Sequence, residues 1–134
     1  MVSKKIILSI AGSDNSSGAG VQADIKTCQL LKAYCVNVIT LVTSQNSKKV
    51  DCVEPVSLRL IKSQIKTVFN EFKVDAIKIG LLNDVKVTRF LVNFLIKNNR
   101  LYRFNLPTAL SKRKFTNFRS DVKSFNNTRW PLHF

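Results

Sequence analysis

Hydrophobic residues along this chain fall into short β-branched runs that alternate with stretches whose apolar positions recur every three or four residues. Ile6 to Ile10 is a run of the length and composition of a buried strand. Gly20 to Ala33 carries Val21, Ile25, Cys28 and Leu31 at helical spacing, and Val36 to Thr43 is apolar nearly throughout, as a parallel strand buried on both faces is. Ser44 to Val56 is a polar connection containing Lys48, Lys49, Asp51, Glu54 and Pro55, read as a flap or short hairpin. Ser57 then caps a helix to about Phe72, with Leu58, Ile61, Ile65, Val68 and Phe72 on one face and Arg59, Lys62 and Lys66 on the other. Asp75 to Gly80 predicts a third strand, and Asp84 an N-cap for a helix that turns Val87, Phe90, Leu91, Phe94 and Leu95 inward. Strands alternating with helices of this length predict a parallel sheet with helices on both faces and right-handed crossovers.

The turn between the first strand and first helix, Ala11 to Ala19, is small and polar throughout. Gly12, Gly18 and Gly20 lack a Cβ, so a ligand can approach the backbone, and the following helix points free N–H groups back at the same spot. Two known turns can be tested against it. A P-loop needs Lys and then Ser or Thr after its last glycine, and Val21 and Gln22 stand there instead. Gly18-Ala19-Gly20-Val21-Gln22-Ala23 fits the dinucleotide pattern loosely, but the next strand ends Thr43-Ser44-Gln45-Asn46 with no acid to hold a ribose, which argues against a nicotinamide cofactor. A glycine-rich turn without a ligand stands beside these readings.

Ligands in such sheets bind beyond the carboxyl ends of the strands. Those ends carry Gly12-Ser13-Asp14, Thr43-Ser44-Gln45 and Gly80-Leu81-Leu82, so three separated segments are expected to converge on one rim. Each polar residue there also has a plainer role. Asp24 falls in the first turn of its helix, where the macrodipole favours a carboxylate without any ligand. Gln45 and Asn46 can satisfy turn backbone, Ser13 and Asp14 can hold the tight turn, and Lys78 can point to solvent from an edge strand.

Size and charge narrow the class. The chain has 134 residues, room for one domain, with an ordinary hydrophobic share of 45%. No apolar run is long enough for a membrane span or a secretory signal, and the reading is cytoplasmic. Cys28, Cys35 and Cys52 are odd in number and lack C-x-x-C spacing, and His133 has no partner at ligand spacing, so buried or free thiols fit better than disulfides or a metal site. The net charge of +14 is uneven. Met1 to Asn98 holds fourteen Lys or Arg against seven acids, and Asn99 to Phe134 eight against one. In that last part Arg103, Phe104, Lys112, Arg113, Lys114, Phe115, Phe118, Arg119, Arg129 and Trp130 interleave cations with rings, a composition suited to single-stranded nucleic acid. No RNA-binding signature accompanies it, and an unfolded tail is the stronger reading.

The string Ile10-Ala11-Gly12-Ser13-Asp14, then Ser17-Gly18-Ala19-Gly20 and Gln22-Ala23-Asp24-Ile25-Lys26-Thr27, resembles the opening of the hydroxymethylpyrimidine/phosphomethylpyrimidine kinases of thiamine biosynthesis. Val38-Ile39-Thr40 leading to Ser44-Gln45-Asn46, Val68-Phe69, and Val74 through Leu82 match in order at the expected spacing. The similarity covers about Lys4 to Asn98. It implies a ribokinase-like fold, a Rossmann-type parallel sheet truncated to its N-terminal half, and an ATP- and Mg2+-dependent phosphotransferase acting on the aminopyrimidine. It implies that Gly12 lets the substrate approach, that Asp24 and Gln45 hydrogen-bond the aminopyrimidine and its hydroxymethyl arm, and that Thr43 and Leu81 line the ring; Leu81 stands where the family often has Met, a change of similar volume. The full-length family admits a homodimer. Pyridoxal kinase, of the same fold, is the near alternative, and a non-catalytic pyrimidine- or nucleic-acid-binding remnant the more distant one.

The family continues with a strand ending in Asp-Pro, a nucleotide-binding half and a Gly-Thr-Gly-Cys turn that forms the anion hole. At the corresponding place this sequence reads Arg100-Leu101-Tyr102-Arg103-Phe104-Asn105-Leu106-Pro107 and does not resume the pattern. Residues 1–98 are therefore read as the N-terminal part of a pyrimidine kinase domain and residues 99–134 as an unmatched basic tail, out of frame or disordered. The expected consequences are an inactive fragment, because phosphoryl transfer depends on the missing charge stabilisation, and an uncovered sheet edge.

Overall fold

The computed structural model describes residues 4–82, 84–98 and the backbone of 102–104. The elements run β1 (Ile6–Asp14), α1 (Gly20–Leu30), β2 (Tyr34–Gln45), β3 (Val50–Pro55), α2 (Leu58–Glu71), β4 (Ala76–Ile79), α3 (Val85–Lys97) and β5 (Tyr102–Phe104). They form one five-stranded sheet in the order β3-β2-β1-β4-β5. The pairs β1–β2, β1–β4 and β4–β5 are parallel. The sheet is mixed rather than wholly parallel, because the polar connection folds back as β3, antiparallel to β2 at the edge and solvent-exposed along its length.

Strand alternation sorts the helices onto the two faces. Leu8 and Ile10 of β1, Val36 and Val38 of β2 and Ile77 and Ile79 of β4 join Ile61, Ile65 and Val68 of α2 and Val87, Leu91 and Leu95 of α3 in one apolar core. Phe69, Phe90 and Phe94 close its margin, with the Phe69 and Phe94 rings 5.4 Å apart. The Ser57 hydroxyl accepts the Leu60 amide at the start of α2, and the Asp84 carboxylate accepts the Lys86 amide at the start of α3, as N-caps do.

On the opposite face α1 lies over a row that is polar. The register sets Asn37 of β2, Ser9 of β1 and Lys78 of β4 side by side. This is why the helical face read from apolar spacing is only half right: Val21 and Cys28 are buried, whereas Ile25 is 40% exposed and Leu31 74%. The inward position between Val21 and Cys28 belongs to Asp24, which bonds the polar row.

Near the carboxyl end of β1 the register slips. Ala11 pairs with Ile39 but Ser13 with Val42, so Thr40 and Leu41 together stand opposite Gly12. Such a bulge lets consecutive residues both turn inward, and Thr40 and Leu41 are 3% and 0% exposed. On the same strand Gln64 of α2 satisfies the Ile39 backbone with both ends of its amide, at 2.9 and 3.1 Å, before β3 takes over the edge at Leu41.

β5 falls within the segment read from the sequence as an unmatched tail. Its backbone pairs Tyr102, Arg103 and Phe104 with Ile77, Lys78 and Ile79, covering the outer edge of β4. The stretch 105–134, with most of the interleaved cations and rings, lies outside the described residues.

Candidate functional site

The carboxyl ends of β1, β2 and β4 and the start of α1 enclose a cleft of about 490 Å³. All five residues singled out in the sequence, Gly12, Asp24, Thr43, Gln45 and Leu81, line it, as do Leu41, Lys78 and Gly80. Three segments far apart in sequence therefore do meet at one rim.

The glycine-rich turn is built differently from the expectation of free N–H groups. Asp14, 3% exposed, folds its own carboxylate into the helix start: Oδ1 accepts the Ser16 amide and hydroxyl, both at 2.7 Å, and Oδ2 accepts the Gly18 and Ala19 amides at 3.0 and 2.8 Å. The Ser16 hydroxyl foremost, then its amide, the Gln45 side chain and the Ala19 amide hold this carboxyl down to about 2, against burial that works the other way. A phosphate at this helix N-terminus would have to displace that carboxylate. Gln22 braces the same turn, its Oε1 accepting the Asp14 amide at 2.9 Å and its Nε2 donating to the Ser13 hydroxyl at 2.7 Å.

Gly20 has a φ of +61°, and a Cβ there would run into the Gly12 carbonyl oxygen and come 3.1 Å from the Asp14 amide nitrogen. It allows α1 to start directly against β1. At Gly12 a Cβ would meet Leu41 Cδ1 at 2.7 Å, so its packing partner is a buried side chain that lies behind the cleft wall.

The rim's other hydroxyls tie strands together. Thr43 Oγ1 donates to the Ser13 carbonyl at 2.9 Å, and Thr40 Oγ1 to the Leu81 carbonyl at 2.8 Å, which fixes the backbone after β4. Gln45 is anchored through its amide, which donates to Asn15 Oδ1 at 2.7 Å, while its side chain faces Asp14. Asn46 does satisfy turn backbone, accepting the Lys48 and Lys49 amides.

Asp24 and Lys78 depart from their plainer readings. Asp24 lies beyond the first turn of α1, which holds no acid, so the macrodipole does not account for it. Lys78 is on an inner strand, between β1 and β5, and its Nζ donates to Asp24 Oδ2 at 2.7 Å instead of facing solvent. The buried Ser9 hydroxyl donates to the same oxygen. Ser9 was not among the expected site residues; the signal for it is parity, a polar residue in an apolar strand on the face shared with Lys78. Beside this cluster, burial and the neighbouring Cys28 thiol push the Cys35 thiol up to about 12, far from a reactive thiolate.

Residues 14–110 match the family model for phosphomethylpyrimidine kinase. The chain belongs to the phosphomethylpyrimidine kinase family. The hydroxymethylpyrimidine/phosphomethylpyrimidine kinase of Haemophilus influenzae is 39% identical over 95 residues, which are 71% of this chain and 35% of that one. The crystal structure of phosphomethylpyrimidine kinase from Clostridium difficile superposes with a TM-score of 0.71 at 41% identity, over 77% of this chain and 44% of that one. Pyridoxal kinase from Staphylococcus aureus, in complex with AMP-PCP and pyridoxal, gives 0.72 at 29% identity, over 90% and 44%. The fold is thus ribokinase-like, and the chain spans less than half the length of each of these relatives. The matched range includes β5.

The family's use of ATP raises the question of where a nucleotide would sit. Among the described residues no group of three His, Cys, Asp or Glu side chains could hold a metal ion. The helix N-terminus at the rim is filled by Asp14, and the cleft's ammonium, Lys78, is paired with Asp24. These residues fit an uncharged ring with hydrogen-bonding edges better than a triphosphate. No helix among the described residues is long and apolar enough to cross a membrane.

Proposed function

We propose that the cleft is the pyrimidine site of a hydroxymethylpyrimidine/phosphomethylpyrimidine kinase, taking 4-amino-5-hydroxymethyl-2-methylpyrimidine or its monophosphate for ATP-dependent phosphorylation. The observation that carries this is the meeting of Gly12, Asp24, Thr43, Gln45 and Leu81 in one cleft, in a chain of this family. Asp24 offers an acceptor to the exocyclic amino group, Gln45 a bifunctional amide to the ring or hydroxymethyl arm, and Leu41 and Leu81 apolar walls for its faces. ATP and Mg2+ are assigned to none of the described residues, and binding of the pyrimidine is the part of that activity which the cleft supports.

Pyridoxal is the second candidate, favoured by the likeness to a pyridoxal kinase that holds pyridoxal. Calorimetry of the 134-residue chain with each compound separates the two. Saturable binding of the pyrimidine, weakened by about tenfold or more in Gln45→Ala as expected for a lost hydrogen bond, supports the first reading. Tighter binding of pyridoxal supports the second, and binding of neither refutes both.

A further inference from the structure

Ser9, Asp24 and Lys78 come from three different elements and meet at one atom. Ser9 and Lys78 are register partners across β1 and β4, so both side chains leave the sheet toward α1. Both donate to Asp24 Oδ2, and no described residue donates to Oδ1. The Asp24 and Lys78 side chains are 20% and 31% exposed, and both line the cleft. A solvent-exposed lysine swings freely and its ion pair is worth little. Here the ammonium sits in a slot left by Gly80, where a Cβ would stand 3.2 Å from Nζ. With a buried hydroxyl on the same oxygen, the carboxylate is held by two donors at fixed directions.

The geometry points to Lys78 as a positioning residue: together with Ser9 it engages one oxygen of Asp24 and leaves the other presented to the cleft, giving the site its preference for a ring that carries an exocyclic amino group. This rests on the pyrimidine reading above. An amino donor matches the free oxygen, whereas a ring without one leaves a desolvated carboxylate oxygen unpaired. Lys78 acts through Asp24 and makes no contact with the ring.

The test is a binding ratio measured by calorimetry on the full chain. The ligands are 4-amino-5-hydroxymethyl-2-methylpyrimidine and the same ring without its amino group; the proteins are wild type, Lys78→Met, Lys78→Arg and Ser9→Ala. Wild type is expected to prefer the amino compound by about 10- to 100-fold, the range of one hydrogen bond to a charged group. Lys78→Met should bring the ratio to within about threefold by weakening the amino compound alone, and Lys78→Arg should restore part of it. A loss that is equal for both ligands, or an unchanged ratio, overturns the positioning role while the pyrimidine reading stands. Wild type binding neither ligand refutes that reading and this one with it. If Lys78→Met lacks a cooperative melt, the ratio of Ser9→Ala decides: a ratio below wild type supports the role, and one equal to it overturns it.

Discussion

Gly18 and Gly20 stand two residues apart where the turn enters α1, yet alanine should act oppositely at the two. At Gly20, φ is +61°, a region that costs an alanine about 1–2 kcal/mol. The added Cβ also runs into the Gly12 carbonyl oxygen, which belongs to the backbone of β1 and cannot rotate away. Overpacking of this kind costs about 1–3 kcal/mol. Against these stands a gain of about 0.4–1 kcal/mol from the stiffer unfolded chain. The net loss is about 1–5 kcal/mol, centred near 3, a large fraction of the roughly 5–15 kcal/mol by which domains are stable. At Gly18 a Cβ would find Asp14 Oδ2 at 3.6 Å and Ser16 Oγ at 3.9 Å, ordinary contacts, and φ there is not positive. Gly18→Ala should therefore be neutral or more stable by about 0.4–1 kcal/mol. Urea unfolding followed by circular dichroism is the assay; with a slope of about 1–3 kcal/mol per molar, Gly20→Ala should lower the midpoint by about 1 M or more. Equal midpoints for the two variants, or a lower one for Gly18→Ala, would refute the account of how α1 is docked on β1.

The Asp14 carboxyl, held at about 2 in the folded chain, lies below its unfolded value, so it contributes stability above about pH 4 that is lost as pH falls toward 2. Asp14→Asn should accordingly be less stable than wild type at pH 7, with the gap between their urea midpoints closing as pH is lowered from 4 to 2; a gap independent of pH would contradict this. Thr40→Val keeps the shape but strands the Leu81 carbonyl, and should cost about 1–2 kcal/mol and weaken binding in the cleft; an unchanged melt would mean that the bond at 2.8 Å contributes nothing. Leu91→Ala empties a position 1% exposed in the core, with an expected loss of about 2–5 kcal/mol in the same melts, and a smaller loss would show that α3 closes over the cavity.

Apolar periodicity made the α2 and α3 faces legible, because both helices cover the strongly hydrophobic side of the sheet. It misled on α1 because the sheet beneath that helix carries Ser9, Asn37 and Lys78, so the inward position went to Asp24 while Ile25 turned outward. Meeting of the strand ends at one rim followed from topology, and the five expected residues came together there. The bulge opposite Gly12 could not be read, since it depends on a slip between strands that no local pattern encodes. Nor could the self-filling of the helix start by Asp14, which a glycine-rich string leaves open. β5 was obscured by its brevity and by basic surroundings, although its backbone completes the edge of β4.

The pyrimidine is proposed to enter one cleft, at the ends of β1, β2 and β4. The most direct test is an amide chemical-shift titration of isotope-labelled full chain with 4-amino-5-hydroxymethyl-2-methylpyrimidine. Saturable shifts are expected at Gly12, Asp24, Gln45, Gly80 and Leu81, which line that cleft. Shifts confined to α2 and α3, where a second cleft of about 570 Å³ lies between Lys62 and Phe94, or no saturable shift at all, would contradict this placement.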